Sequence, residues 1–190
     1  MAAPGLGIET WGFLIHLNLD LSSFGCSSRV PTSFIPIRCL ILACGNTLRG
    51  DDGVGPWLAV WAEERFSADP VVKVISRQQW TPDLAEELAH VESVIFVDCA
   101  VDAPPGVVRV ARIQPCAPQA GLATHHMGAP ELLALSKELY ASLPRNALLL
   151  TIGAGSTEMG ETFSKNVKYA LPEACETLET AVLKLLAERS

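Results

Sequence analysis

The chain has 190 residues, 49% of them hydrophobic and 18% charged, with a formal net charge of -7. That is enough apolar material for the core of one ordinary domain, and it excludes a disordered chain. Lys and Arg are scattered rather than clustered, so the acidic balance argues against nucleic acid and anionic membranes as partners.

Residues 1–36 stand apart as an N-terminal extension, expected to be poorly ordered. Its apolar stretch, Trp11-Gly-Phe-Leu-Ile-His-Leu-Asn-Leu-Asp-Leu21, is interrupted by His16, Asn18 and Asp20. It is too short and too broken to span a bilayer, and it lacks the basic leader of a secretory signal. The Ser, Gly and Pro that follow read as a linker into a single domain, 37–190.

Regular patterning begins there. Residues 37–43 form a short apolar run ended by Gly45-Asn46, which predicts a buried strand. Residues 54–66 carry Val54, Trp57, Leu58, Val60 and Trp61 at helical spacing, with Asp51 or Asp52 placed to cap the helix. A β-branched run at 71–75 predicts a second strand. A helix follows at 81–89, opened by Thr81-Pro82. Residues 93–97 predict a third buried strand, closed by Asp98. After the Pro104-Pro105-Gly106 turn, 106–113 reads as a strand and 114–124 as a loop. Residues 129–143 predict a helix with Leu132, Leu133, Leu135 and Leu139 on its apolar side, and 147–152 another strand. The closing helix, 166–187, should kink or restart near Pro172.

Strands alternating with helices predict an α/β fold: a three-layer αβα sandwich with a mostly parallel twisted sheet. The missing helix between the third and fourth strands predicts one hairpin-like antiparallel pairing. Ligand sites in such sheets lie beyond the carboxyl ends of the strands. Asp51, Asp52, Asp98 and His125 can all reach that edge. The six cysteines, Cys26, Cys39, Cys44, Cys99, Cys116 and Cys175, form no C-x-x-C pair, and several sit in apolar runs. Buried thiols in a reducing cytoplasm account for them best, and Cys44 reads as a core thiol rather than a nucleophile.

The densest motif is Ile41-Leu-Ala-Cys-Gly-Asn-Thr-Leu-Arg-Gly-Asp-Asp-Gly-Val-Gly-Pro56. Gly45 and Gly50 have the spacing of a phosphate loop, but Asp51 and Asp52 stand where Lys and Ser or Thr belong, so the charge is wrong for phosphate. One acid suffices as a cap. A second, beside Gly53 and Gly55, suits a metal or a polarised group. Asp98 ends an apolar run and is costly to desolvate unless paired, hydrogen-bonded or metal-bound; a solvated strand end is the plainer alternative. His125 and His126 stand at a helix entry, as a surface pair or as imidazole ligands. No G-x-S-x-G elbow and no H-E-x-x-H is present.

The ordered set resembles the [NiFe]-hydrogenase maturation endopeptidases. It comprises Gly45-Asn-x-Leu-x-x-Asp-Asp-Gly-x-Gly55, Gln79-Trp-Thr-Pro-Asp-Leu-Ala-Glu-Glu-Leu88, Ile95-Phe-Val-Asp98, Thr124-His-His-Met-Gly128 and Pro130-Glu-Leu-Leu133. The resemblance spans nearly all of the regular part of the chain. It implies a cytoplasmic enzyme, monomeric by default, that removes the C-terminal extension of a hydrogenase large-subunit precursor. The precursor supplies the nickel that serves as recognition element. It implies Asp52, Asp98 and His125 as nickel ligands, Asp52 and Asp98 as catalytic, and Asn46 and Asp51 as support through loop geometry and capping. It leaves open whether nickel acts as Lewis acid or a carboxylate activates water. A non-catalytic nickel-binding scaffold on the same fold is the alternative. Ser76-Arg-Gln-Gln-Trp-Thr81 replaces the Asp-Gly-Gly-Thr-like turn of many members, and residues 1–36 have no counterpart in the family core.

Overall fold

The computed structural model describes residues 36–116 and 127–188, all within one compact unit, Phe34–Ser190. The extension, His125 and His126 lie outside the described residues. In chain order the elements are β1 (Cys39–Cys44), α1 (Val54–Arg65), β2 (Val72–Arg77), α2 (Leu84–Ala89), β3 (Ser93–Ala100), β4 (Val108–Arg112), α3 (Ala129–Tyr140), β5 (Asn146–Gly153) and α4 (Lys165–Ala187). A 3-10 turn, Gly50–Gly53, precedes α1.

The five strands form one sheet in the order β2-β1-β3-β5-β4, parallel except for β4, which runs antiparallel to β5. The expected antiparallel strand is present, but its partner is β5 rather than β3. After Ala100 the chain passes over the place that β5 later fills, so β4 becomes an edge strand. Every residue of β1 is buried, because helices cover both faces of a parallel sheet. Cys39, Ile41 and Ala43 face the core under α1 and α4, and Leu40, Leu42 and Cys44 face the core under α2 and α3. This is the three-layer sandwich that the alternating pattern predicts.

Three helices differ from their sequence reading. α1 buries Val54, Leu58, Ala59 and Ala62, so Trp57 and Val60 lie on its outer face. The aromatic spacing was helical, but the small residues pack closest to the sheet. In α3, Leu132 and Leu133 are buried while Leu139 is exposed, because the helix ends at Tyr140. α4 is one element of 23 residues that continues through Pro172 without restarting.

The β1–α1 junction depends on two glycines. A Cβ on Gly45, whose φ is +141°, would lie 1.9 Å from the Asp52 carbonyl oxygen. One on Gly55 would lie 2.0 Å from the Cys44 carbonyl oxygen. The helix thus starts in direct backbone contact with the strand that precedes it, which fixes where residues 46–52 emerge. Gly55→Ala should therefore destabilise the protein by about 3 kcal/mol, the upper end of overpacking costs, read as a lower denaturant midpoint at unchanged slope.

Candidate active site

The sheet order sets the place of the site. From β1 the chain crosses through α1 on one face to β2, then returns through α2 on the other face to β3. The connections diverge between β1 and β3, and such a switch point opens a crevice beyond the carboxyl ends of the two strands. β1 stops pairing with β3 at Ala43↔Val97, whereas β3 stays paired with β5 to Ala100↔Gly153. Asp98 is the first β3 residue past the end of that β1 pairing. It lies inside a longer strand than expected rather than at its end, because β5 continues the ladder.

Asp52 and Asp98 line one cavity of about 690 Å³, with Cys44, Asn46, Arg49, Gln78, Gln79, Trp80, Met127, Gly128 and Glu131. Each acid is oriented by a backbone amide. Asn46 N donates to Asp52 Oδ2 at 2.9 Å, and Cys99 N donates to Asp98 Oδ1 at 2.8 Å. The other oxygen of Asp52 has no hydrogen-bond partner among the described residues. Asn46 also turns its own side chain inward, its Oδ1 accepting from Leu48 N at 2.9 Å. Trp80 links the site to the core: it packs edge-on against Phe96 with ring centroids 5.5 Å apart, and its side chain favours the charged form of Asp98.

Burial pushes the Asp98 carboxyl up to about 6; the Cys99 amide opposes this, the charge of Asp52 adds to it, and the Trp80 side chain opposes it. A carboxyl with a pKa near neutrality exchanges protons at working pH. Cys44 is buried and lines the cavity as well. Burial, then Asp98 and Asp52, push its thiol up to about 12, so it stays protonated and unreactive.

Asp51 does something other than cap α1. The N-cap of α1 is Gly53, with no side-chain cap. Asp51 is fully buried and its carboxylate accepts three backbone amides from the far side of the site: Gly155 N at 2.7 Å and Ser156 N at 2.9 Å on Oδ2, and Ser164 N at 2.6 Å on Oδ1. Burial raises its pKa, but these amides and the Ser164 side chain outweigh that and hold it below the ordinary value. Capping is a local property that sequence spacing suggests. These amides come from more than 100 residues downstream, so the spacing could not reveal them.

Among the described residues, no three His, Cys, Asp or Glu side chains are grouped to hold a metal. Asp52 and Asp98 supply two oxygen donors; His125 lies outside the described residues. Reading the sequence for acids at strand ends finds Asp52 and Asp98. It does not assign Gln78, Trp80 and Glu131 as cavity walls, although Trp80 and Glu131 stand in the motifs that carry the family resemblance.

A doubly wound sheet with two carboxylates at its switch point defines an α/β enzyme class, and solved structures narrow it. The chain is similar to the hydrogenase maturating endopeptidase HybD of E. coli, with a TM-score of 0.63 and 18% identity over 77% of this chain and 93% of that one. It is similar to a hydrogenase 2 maturation peptidase of a Thaumarchaeota archaeon, with a TM-score of 0.56 and 26% identity over 76% and 97%. It is also similar to the [NiFe] hydrogenase maturation protease HycI of Thermococcus kodakarensis, with a TM-score of 0.57 and 24% identity over 80% and 93%. No protein-family model and no curated protein matches the chain. The chain shares the fold of these hydrogenase maturation endopeptidases, with 26% identity to one of them.

Two stability outcomes follow from the acids. Asp51→Ala leaves three buried amides without an acceptor and should cost about 3–5 kcal/mol. Because the folded pKa of Asp51 is depressed, its contribution is present above the ordinary value of 3.8 and is lost as pH falls through the folded value. The deficit of Asp51→Ala should therefore be full at pH 7 and shrink below about pH 4. Asp98 has the opposite sign. Its rise from 3.8 to about 6 destabilises the fold as pH climbs through that window. Asp98→Asn should therefore be more stable than the parent at pH 8, by about 2 kcal/mol after allowance for solvent at the cavity mouth, and no more stable at pH 4. Denaturation at the stated pH values measures both.

Proposed function

We propose that the protein is the endopeptidase that removes the C-terminal extension of a [NiFe]-hydrogenase large-subunit precursor once nickel is in place. The observation that carries this reading is the pair of carboxylates at the β1/β3 switch point. Each is fixed by one backbone amide, and both face a single open cavity. Likeness to solved hydrogenase maturation peptidases supports peptide-bond hydrolysis as the reaction type.

Nickel is part of the substrate here. It arrives bound to the precursor's own ligands, and Asp52, Asp98 and His125 complete its coordination from this side. Carboxylate oxygens and a neutral imidazole are suitable donors for a borderline ion, and donors already hydrogen-bonded at one oxygen are held in place for it. A loaded precursor then gains contacts that an empty one lacks, so metal insertion becomes the condition for cleavage. The adjacent carboxylates also serve the hydrolysis. One of the two, Asp52 or Asp98, would accept the proton of the attacking water while nickel positions the substrate. Among the described residues no helix is long and apolar enough to cross a membrane.

The test is processing of purified precursor, followed as a mass drop in the large subunit. Cleavage is expected with nickel-loaded precursor and not with nickel-free precursor. Asp52→Asn, Asp98→Asn and His125→Ala should each lower the rate by about 100-fold or more. Full processing by both Asp52→Asn and His125→Ala would overturn the assignment of the site. Nickel-dependent binding without any cleavage would make the protein a scaffold instead.

A further inference from the structure

On the opposite side of the loop that carries Asp52, the outer face of α1 forms a second concavity of about 510 Å³. Trp57, Val60, Trp61 and Phe163 make its apolar wall, and Glu64 and Glu161 contribute acids. Thr47 and Gly53 also border it, and the residues beside them, Asn46 and Asp52, border the acidic cavity. One loop therefore separates the two hollows. Trp57 is 40% exposed and Val60 58% exposed. The apolar surface extends along the same loop: Leu48 is 50% exposed, and Met159, 80% exposed, adjoins it because Gly160 N donates to the Leu48 carbonyl at 2.9 Å.

Large apolar side chains concentrated around one site mark a surface that meets another macromolecule, and tryptophan is the commonest anchor of such contacts. Trp61 and Phe163 rest partly on the core, but Trp57 and Val60 stand outside it, since α1 packs on the sheet through Val54, Leu58, Ala59 and Ala62. Charge selects the occupant. A second copy of this chain would set Glu64 and Glu161 against like charges on a molecule already at -7. The surface instead suits a partner that presents a bulky apolar side chain next to a Lys or Arg.

We propose that this groove docks the precursor polypeptide next to the bond to be cut, with an apolar side chain against Trp57, Trp61 and Phe163 and a neighbouring basic side chain between Glu64 and Glu161. This deepens the reading of the acidic cavity as a precursor-processing site and rests on it. The nickel contacts would then test whether the precursor is loaded, and the groove would supply binding that does not depend on the metal.

The experiment compares the parent with Trp57→Ala, Val60→Glu and the pair Glu64→Lys/Glu161→Lys. Steady-state processing of nickel-loaded precursor and calorimetric binding of nickel-free precursor are both measured. Val60 and the two acids are at the surface, so these variants should fold normally even if Trp57→Ala does not. The expected result is a rise of about 10- to 100-fold in KM for Trp57→Ala and Val60→Glu, with kcat within about twofold, and a matching rise in Kd for nickel-free precursor. The charge-reversed pair should weaken binding most at low salt and least at high salt. Unchanged KM and Kd in Val60→Glu and in the charge-reversed pair would overturn the docking surface while leaving the protease reading intact. A parent that binds precursor through these residues without cutting it would overturn the protease reading and leave the surface standing. A parent that neither binds nor cuts precursor would overturn both.

Discussion

The site is held together by one buried carboxylate. Asp51 has no contact with solvent, and it gathers the amides of Gly155, Ser156 and Ser164 onto its two oxygens. Around it the two loops are joined backbone to backbone: Asp51 N donates to Ser156 O, Gly50 N to Gly160 O and Gly160 N to Leu48 O. A buried charge is tolerated only with such compensation, and loss of any one donor group exposes the rest of the cost. The result is that the loop after β1 and the loop after β5 move as one piece. Asp52, the next residue, inherits that rigidity. The start of α4 does too, because Ser164 is its N-cap.

A rigid frame matters because the groups it carries do not favour one another. Asp52 and Asp98 face the same cavity, each raises the proton affinity of a nearby group, and burial makes this worse. A core would not choose such an arrangement for stability. The fold places it where a parallel sheet leaves a crevice, and it packs Trp80 and Phe96 behind it so that the strain does not spread. The stability lost at Asp98 is set against the saturated hydrogen bonding of Asp51. Like-charged groups brought to one cavity in this way are more typical of sites that do chemistry than of a packed core.

Much of the fold was legible because it rests on local pattern. Short apolar runs ended by Gly, Pro or Asp gave all five strands, and their alternation with helices gave the sandwich. Errors arose where long-range packing overrode local preference. Trp57 and Val60 sit at helical spacing and are apolar, yet α1 turns Val54, Leu58, Ala59 and Ala62 to the sheet and leaves those two outside. Pro172 is a helix breaker by propensity, yet α4 runs through it, held by Val167, Ala170, Ala174 and Leu178 against the core. β4 was expected beside β3, and β5 took that place.

The sequence by itself singled out the acids that line the cavity. Asp52 and Asp98 each follow an apolar strand, and a carboxylate at such a place needs a partner wherever the chain folds. It also determined that phosphate is excluded, since acids occupy the positions of a phosphate loop. Only the tertiary structure decided the division of labour within the Asp51-Asp52 pair. Adjacent residues in a 3-10 turn project in different directions, so one carboxylate enters the protein and meets amides from residues 155–164 while the other faces the cavity. Those amides are near Asp51 only after the sheet has closed, and no local spacing encodes a contact that spans more than 100 positions.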